Sequence, residues 1–441
     1  MAFKIDHQAI RTSTGTESYT ATGFGAADVG VSFFMLSNGT ADGTQRAGGY
    51  FGFGFCGNDS GATQERAYGI ISDDNLSGNS ACATGRGLDA TRADVFNVPN
   101  SSGAALIAEA QFSSWDTADP KGVVADWTDA IGTALLATVA LISDDEYDNA
   151  ECGTLAMESD QVDEVVTIGF EADTIFFLYT RTQGTSIGLH STSCIGIAAK
   201  DGAGGIDQFG MRWGEKDNVA TSQAGCGLSA VAPIGSCYQS SWDTTSAMKV
   251  KAIGATTFTM EHTGASSANK DVAFLAIKWA SGKAFKVARF QTGTGSGSTQ
   301  FSWPGIVPEF VIQVMQASTA VDSVTADDGL TAGISMFTAG EEYCQHTAVQ
   351  DNVSTTQTAG GVKSTAVWLA TDDGTVDYEA AFTSFDAAGA YTLNVTNAAT
   401  ASYECVGFAV GTAVASTGAA RRLVGQGLAD GGPLVGGGLI G

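Results

Sequence analysis

The chain has 441 residues, of which 44% are hydrophobic, 15% are charged and 57 are glycine. This hydrophobic content excludes a disordered chain and is typical of short strands joined by turns of small residues. The formal net charge of −26 argues against partners with a phosphate backbone and against anionic membrane surfaces, because like charges repel.

The chain opens with MAFKIDHQ, which lacks the apolar core of a signal peptide. No apolar run reaches the roughly 20 residues that a membrane helix needs. We therefore expect synthesis in a reducing cytoplasm. The eight cysteines contain no Cys-x-x-Cys pair, so most of them are predicted to be small buried apolar residues rather than zinc ligands or disulfide partners.

A pattern that leads into a strand recurs three times along the chain. A glycine precedes an acidic residue and a long apolar strand, and a phenylalanine follows the glycine in the first two copies. The members are Gly23, Phe24 and Asp28, then Gly169, Phe170 and Asp173, then Gly305 and Glu309. Glycine here predicts a positive φ or a close backbone approach. The strands that follow read VGVSFFML, TIFFLYT and FVIQVMQ.

Two further landmarks follow each of these strands in the same order. The first is an Asp-Asn pair, predicted to form a turn, and the second is an aromatic residue between Ser and Asp, predicted to plug a sandwich end. The pairs are Asp74–Asn75, Asp217–Asn218 and Asp351–Asn352, and the aromatic residues are Trp115, Trp242 and Phe385. Each repeat closes on an apolar strand. The shared order indicates an internal triplication, and a single active site would not need three copies.

We therefore predict an all-β fold of three tandem β-sandwich units, jelly-roll-like in type, plus an extended arm. The predicted units span residues 1–157, 158–284 and 285–415, and the Gly/Leu-rich arm spans 416–441. Equivalent landmarks are predicted to occupy equivalent points of one topology.

The C-terminal arm has its own composition. Its glycines preclude a stable helix, yet Leu and Val recur in LVGQGL and LVGGGL. One interpretation is a flexible tail. The preferred one is an assembly arm that docks on a neighbouring subunit, a second copy of this chain, with a homotrimer as the first guess. The residues predicted to dock include Arg421, Arg422, Leu423, Val424, Leu434, Val435, Leu439 and Ile440.

Short motifs give little support to an enzyme, a cofactor site or a metal site. Gly52–Gly57 fits the Gly-x-Gly-x-x-Gly pattern, but turn residues follow where a dinucleotide site needs a helix. Gly184–Gly188 fits Gly-x-Ser-x-Gly without the helix of a nucleophile elbow. The four histidines have no ligand spacing. The acidic run Asp144–Asp148 lacks the pattern of an EF-hand loop and is interpreted as a solvated loop.

The third repeat carries a resemblance to a known kind of protein. The run TGTGSGSTQFSWPGIVPEFVIQV from Thr292, with Ser384-Phe385-Asp386 and Gly389 farther on, resembles a module common in tail-fibre and other virion proteins of bacteriophages. The resemblance covers about residues 12–411. The first and second repeats depart from it, with Ala27 and Ala172 where the module usually has proline.

The resemblance and the triplication together imply a non-enzymatic virion protein, most simply a tail-fibre or tail-tip component that contributes to host attachment. A capsid decoration or head-fibre protein is the alternative, and a carbohydrate depolymerase is a more distant one, because no pair of carboxylates stands out. The expected partners are other virion proteins, copies of the chain and a host-surface glycan or protein. We expect no cofactor and no nucleic acid.

Overall fold

The computed structural model describes residues 3–59, 62–74, 81–89, 92–99, 105–157, 162–180, 187–189, 191–216, 218–238, 241–264, 270–303, 305–319, 321–323, 330–350, 353–371 and 373–414. In these ranges the regular structure is β-strand, apart from one 3-10 turn at Asp144–Glu146. The all-β prediction is therefore confirmed. No helix in this part of the chain is long and apolar enough to span a membrane.

The strands are numbered in chain order. The first twelve are β1 (Phe3–Ala9), β2 (Gly15–Ala21), β3 (Val29–Ser37), β4 (Thr44–Ala47), β5 (Gly49–Asp59), β6 (Ala62–Ser72), β7 (Cys82–Asp89), β8 (Arg92–Ala93), β9 (Phe96–Pro99), β10 (Leu106–Asp116), β11 (Lys121–Asp129) and β12 (Leu136–Ser143). The next eleven are β13 (Tyr147–Met157), β14 (Glu164–Thr167), β15 (Thr174–Tyr179), β16 (Ile187–Leu189), β17 (Ser191–Lys200), β18 (Ile206–Glu215), β19 (Ala224–Ser229), β20 (Ile234–Tyr238), β21 (Ser241–Ile253), β22 (Thr257–His262) and β23 (Lys270–Trp279). The last ten are β24 (Lys283–Gln291), β25 (Gly297–Ser302), β26 (Ile306–Gln316), β27 (Leu330–Thr338), β28 (Glu342–Val349), β29 (Thr358–Lys363), β30 (Val367–Ala370), β31 (Val376–Asp386), β32 (Ala390–Asn397) and β33 (Glu404–Ala413).

These strands form three pairs of sheets with one strand order. The larger sheets contain β1-β12-β3-β5-β6-β7, β13-β23-β15-β17-β18-β19 and β24-β33-β26-β27-β28-β29. The smaller sheets contain β2-β11-β10-β9, β14-β22-β21-β20 and β25-β32-β31-β30. We call them sheet pairs 1, 2 and 3. The identical orders support the predicted triplication, although several consecutive strands in each larger sheet are direct neighbours, which is a meander rather than a jelly roll.

Each sheet pair encloses a hydrophobic core of its own, and the larger sheets share a further core. In β3, Phe34 and Leu36 face the core of pair 1, while Phe33 and Met35 face the shared core. Side chains alternate across a strand, so both faces of the strand are buried. This explains why the sequence VGVSFFML is a continuous apolar run rather than an alternating one.

The shared core joins all three sheet pairs through aromatic rings. Phe176 of β15 lies 4.8 Å from Phe33 of pair 1 and 4.9 Å from Phe408 of pair 3, measured between ring centroids. Phe3 of pair 1 stacks on Phe310 of pair 3 at 5.5 Å. Such contacts contribute beyond simple area burial. The larger sheets therefore pack on one another instead of facing solvent.

The sheets place two boundaries differently from the sequence analysis. The predicted first unit ended at residue 157, yet β13 (147–157) pairs with β23 and belongs to sheet pair 2. The predicted second unit ended at residue 284, yet β24 begins at Lys283 and belongs to pair 3. In both cases the first strands of a sheet pair precede its glycine landmark, Gly169 or Gly305. The sequence pattern did not reveal these strands, so both predicted boundaries lie too late in the chain.

Candidate functional site

The three strand-leading glycines adopt the predicted conformation. Gly23, Gly169 and Gly305 have φ angles of 96°, 76° and 95°, a region that side chains with a Cβ rarely occupy. They lie between equivalent strands, before β3, β15 and β26. Phe24 packs in the core of pair 1, and Phe170 packs against the core of pair 2. The glycines therefore turn the chain so that the next residue closes a sandwich end.

The acidic residue after each glycine is paired with a lysine. Asp28 contacts Lys121 at 2.9 Å, and Asp173 contacts Lys200 at 2.5 Å. Glu309 contacts Lys283 at 2.7 Å, and Lys283 also contacts Glu146 of the 3-10 turn. These landmarks are thus ion pairs at the start of a strand. The third ion pair also joins pair 3 to the turn that precedes β13 of pair 2.

Only part of the Asp-Asn landmark falls within the described residues. Asn218 has a φ of 57°, in agreement with the predicted left-handed turn. The carboxylate of Asp74 accepts the backbone N–H of Thr358 at 2.9 Å, which ties pair 1 to pair 3. Asn75, Asp217, Asp351 and Asn352 lie outside the described residues.

The aromatic landmark is equivalent in two sheet pairs and not in the third. Trp115 and Phe385 lie next to the ends of β10 and β31, paired with Val123 and Tyr391 in the following strands. Trp242 lies at the beginning of β21, where it pairs with Cys237 of β20. The predicted equivalence of Trp242 is wrong. Its Ser-Trp-Asp triplet is a coincidental match, and Ile253 occupies the corresponding place near the strand end.

A β-bulge marks the repeat better than the aromatic residue does. The register shifts between Phe112 and Ser114, between Val250 and Ala252, and between Phe382 and Ser384. The bulged residues are Ser113, Lys251 and Thr383, each two positions before Trp115, Ile253 or Phe385. Bulges bend a strand and redirect its side chains. Sequence reasoning missed this landmark because the three residues share no side-chain type.

Short segments exchange between sheet pairs in cyclic order. β4, between β3 and β5 of pair 1, adds to β29 of pair 3. β16, between β15 and β17 of pair 2, adds to β7 of pair 1. Val321, which follows β26 of pair 3, forms a parallel bridge to Leu228 of β19 in pair 2. β7, β19 and β29 are equivalent edge strands, so the three contacts close a ring.

Buried polar groups reinforce the junctions of this ring. The side-chain amide of Gln345 in pair 3 donates to the carbonyl oxygens of Met35 and Leu136 in pair 1, at 3.0 and 3.2 Å. Gln316 of pair 3 donates to the carbonyl of Arg212 in pair 2 at 2.9 Å. Buried donors that lose such partners cost about 1–3 kcal/mol, so these contacts favour one relative placement of the sheets.

The remaining sequence motifs fall into structural positions. Gly52–Gly57 lies inside β5, and a Cβ on Gly54 would lie 2.4 Å from the carbonyl oxygen of Val95, so this segment is a strand at a close backbone approach. The eight cysteines are buried, as predicted, and none of them forms a disulfide bond. The carboxylate of Asp144, in the acidic run, accepts the N–H of Asp28 at 3.0 Å. The arm, residues 416–441, and most of Gly184–Gly188 lie outside the described residues.

Within the described ranges, no group of three or more His, Cys, Asp or Glu side chains is placed to hold a metal ion. Comparisons of the chain with protein-family models, with curated proteins and with solved structures found no match.

Two half-buried carboxyl groups should contribute to the pH dependence of stability. Burial raises the pKa of Asp6 to about 6 and that of Glu65 to about 7, above their ordinary values. Each group binds its proton more tightly in the folded chain than in the unfolded chain, so its contribution to the free energy of unfolding should rise as pH falls from 8 to 5. We expect the two groups together to contribute about 1–3 kcal/mol. Burial lowers the pKa of His7 and of His346, and these two histidines act in the opposite direction.

Urea denaturation at several pH values measures this contribution. Asp6→Asn, which keeps an oxygen to accept the N–H of Thr20, should remove part of this contribution, and adding Glu65→Gln should remove most of the rest. The stability of the double variant relative to the unchanged chain should therefore fall between pH 8 and pH 5. A relative stability that does not change with pH would contradict the assignment.

Proposed function

We propose that the protein is a structural component of a virus particle, in the tail fibre or tail tip of a bacteriophage, where it contributes to host attachment. The observation that carries the proposal is the ring of three sheet pairs, closed by β4, β16 and Val321. Exposed sheet edges template pairing with other chains, and virion proteins are crowded. A chain that covers equivalent edges with its own segments is protected against such pairing.

The charge of the chain is consistent with this proposal. A net charge of −26 keeps a protein soluble at high local concentration. Self-repulsion opposes the compact state, and the shared core of the three larger sheets offsets it.

The ring also bears on how the chain assembles. The homotrimer was predicted because isolated sandwiches would leave sheet edges uncovered, and contacts between subunits would cover them. Three such edge strands are covered within one chain, so we propose that the ring takes the place of a trimer. Self-association then depends on the arm, residues 416–441.

The ring also fits a second candidate, a capsid decoration or head-fibre protein. A ring of three similar sheet pairs suits a position of three-fold or local three-fold symmetry on a head lattice. The same geometry suits the axis of a trimeric fibre, so location separates the two candidates.

The test is the position of the chain in intact particles that encode it. Gold-conjugated antibodies against the ring should label the tail fibre or tail tip, and particles of an unrelated phage serve as the control. Label spread over the head would select the decoration protein, and absence of the chain from purified particles would overturn the virion proposal.

A further inference from the structure

A groove opens where sheet pair 2 meets pair 3, and its volume is about 770 Å³. Ligand pockets commonly have volumes of about 300–1,000 Å³. One wall is the hairpin between β17 and β18, another is the bulged part of β21, and Phe285 of β24 contributes an aromatic side chain from pair 3.

The hairpin wall exposes backbone at a fixed position. The carboxylate of Asp201 accepts the N–H groups of Ala203 and Gly205, at 2.7 and 2.8 Å. Gly202 and Gly204 have φ angles of 77° and 98°, and no atom lies within 4 Å of the place where a Cβ would stand. A ligand can therefore approach this wall more closely than side chains would allow.

The bulged wall is also held in place. Gln208 of β18 accepts the N–H of Val250 at 2.7 Å and donates to the carbonyl of the same residue at 3.2 Å. This double contact lies next to the bulge, and Lys249 and Lys251, on either side of the buried Val250, line the groove. The groove is thus formed before any ligand arrives, which limits the ordering cost of binding.

The charges that line the groove are balanced and already paired. Lys200 contacts Asp173 at 2.5 Å and Glu171 at 3.3 Å, and Lys249 contacts Glu261 at 3.4 Å. Lys251 contacts Asp163 at the rim, at 2.6 Å. In a chain with a net charge of −26, a surface with three lysines and three carboxylates in its lining is locally neutral.

We propose that this groove binds a neutral oligosaccharide, a ligand class that rests on the proposed role in host attachment. Sugar hydroxyl groups can accept from the lysine ammonium groups and donate to the neighbouring carboxylates without separating the ion pairs. A charged ligand would have to break those pairs. The half-buried ring of Phe285 supplies an apolar surface beside the polar groups, as ligand sites usually do.

The other sheet pairs lack these lysines, although they share the bulge. The bulged residue is Ser113 in pair 1 and Thr383 in pair 3, and lysine occurs only in pair 2. The fold therefore does not require lysine at this position. Its presence at one of three equivalent points indicates a role that is specific to this groove.

The experiment measures binding of the full chain to immobilised neutral oligosaccharides of hexose and N-acetylhexosamine units, beside a set of acidic oligosaccharides. The test variant is Lys249→Ala with Glu261→Ala, which removes one ion pair and leaves net charge unchanged. The matched control is Arg11→Ala with Glu17→Ala, a pair of similar exposure in sheet pair 1. Lys251→Ala is a second test variant at the exposed rim, and circular dichroism confirms folding of each variant.

The unmodified chain and the control should bind the same neutral oligosaccharides, while each test variant should bind at least about tenfold more weakly. Binding to acidic oligosaccharides alone, equal binding by the test variants, or no binding at all would overturn the inference. If the binding experiment fails but the gold-conjugated antibodies still label the tail, the proposed function stands and only the groove inference is overturned. A chain absent from particles that still binds these sugars would overturn only the proposed function.

Discussion

Replacing Phe176 with alanine should lower the free energy of unfolding by about 3–5 kcal/mol. The side chain is 1% exposed and touches rings of the other two sheet pairs, Phe33 of pair 1 and Phe408 of pair 3. Its removal leaves a cavity where the three larger sheets meet, and fixed backbones on every side restrict collapse. Denaturation in guanidinium, followed by tryptophan fluorescence, measures the change.

Phe258→Ala is the matched control for this prediction. Phe258 is fully buried in the core of pair 2 alone, next to Phe177 and Phe274. Its removal should be costly whether or not the sheet pairs pack together. If they were separate in solution, Phe176 would face water and its replacement would cost less than about 1 kcal/mol. That outcome, with Phe258→Ala still destabilising, would contradict the shared core.

Replacing Arg289 with methionine should cost about 3–5 kcal/mol, nearer the lower value because a third of its side chain is exposed. The guanidinium donates two hydrogen bonds to the carboxylate of Glu404, at 2.5 and 2.6 Å. Glu404 is 0% exposed, and Gln291 gives it one further donor at 2.8 Å. Without the arginine, a buried carboxylate remains uncompensated.

The double variant Arg289→Met with Glu404→Leu separates the ion pair from the packing. It should recover much of the loss, because replacement of both partners removes the buried charge. Urea denaturation of the single and double variants at pH 7 tests this recovery. A single variant as stable as the unchanged chain would show that the pair contributes little.

Local features of the fold were predictable from the sequence because they depend on local chemistry. The glycines at positions 23, 169 and 305 were predicted to have a positive φ or a close backbone approach, and all three have a positive φ. The continuous apolar run at 29–36 predicted a strand. Its lack of alternation also indicates that both faces of the strand are buried, and the prediction did not use this signal.

The ring could not be predicted because it depends on contacts between distant residues. Phe176 and Phe408 are 232 positions apart, and no pattern within either strand identifies the other as a partner. Thr44–Ala47 looks like a polar loop, yet it completes the sheet of pair 3. Trp242 was misplaced for a related reason, since a triplet of common residues can recur without the same pairing.

The groove was missed because its parts are far apart in sequence. Lys200, Lys251 and Phe285 lie on three strands and carry no spacing motif. The bulge at Lys251 has no sequence signature of its own. The number of lysines between residues 200 and 286, in an otherwise acidic chain, was the one signal available.

Small-angle X-ray scattering of the full chain tests the closed ring most directly, because it reports how the three sheet pairs are placed in solution. At protein concentrations low enough for the forward scattering to correspond to one chain, a compact chain of this length should have a radius of gyration of about 22 Å. A radius above about 30 Å, as a row of three separate sandwiches would give, would contradict the ring and the function proposed from it.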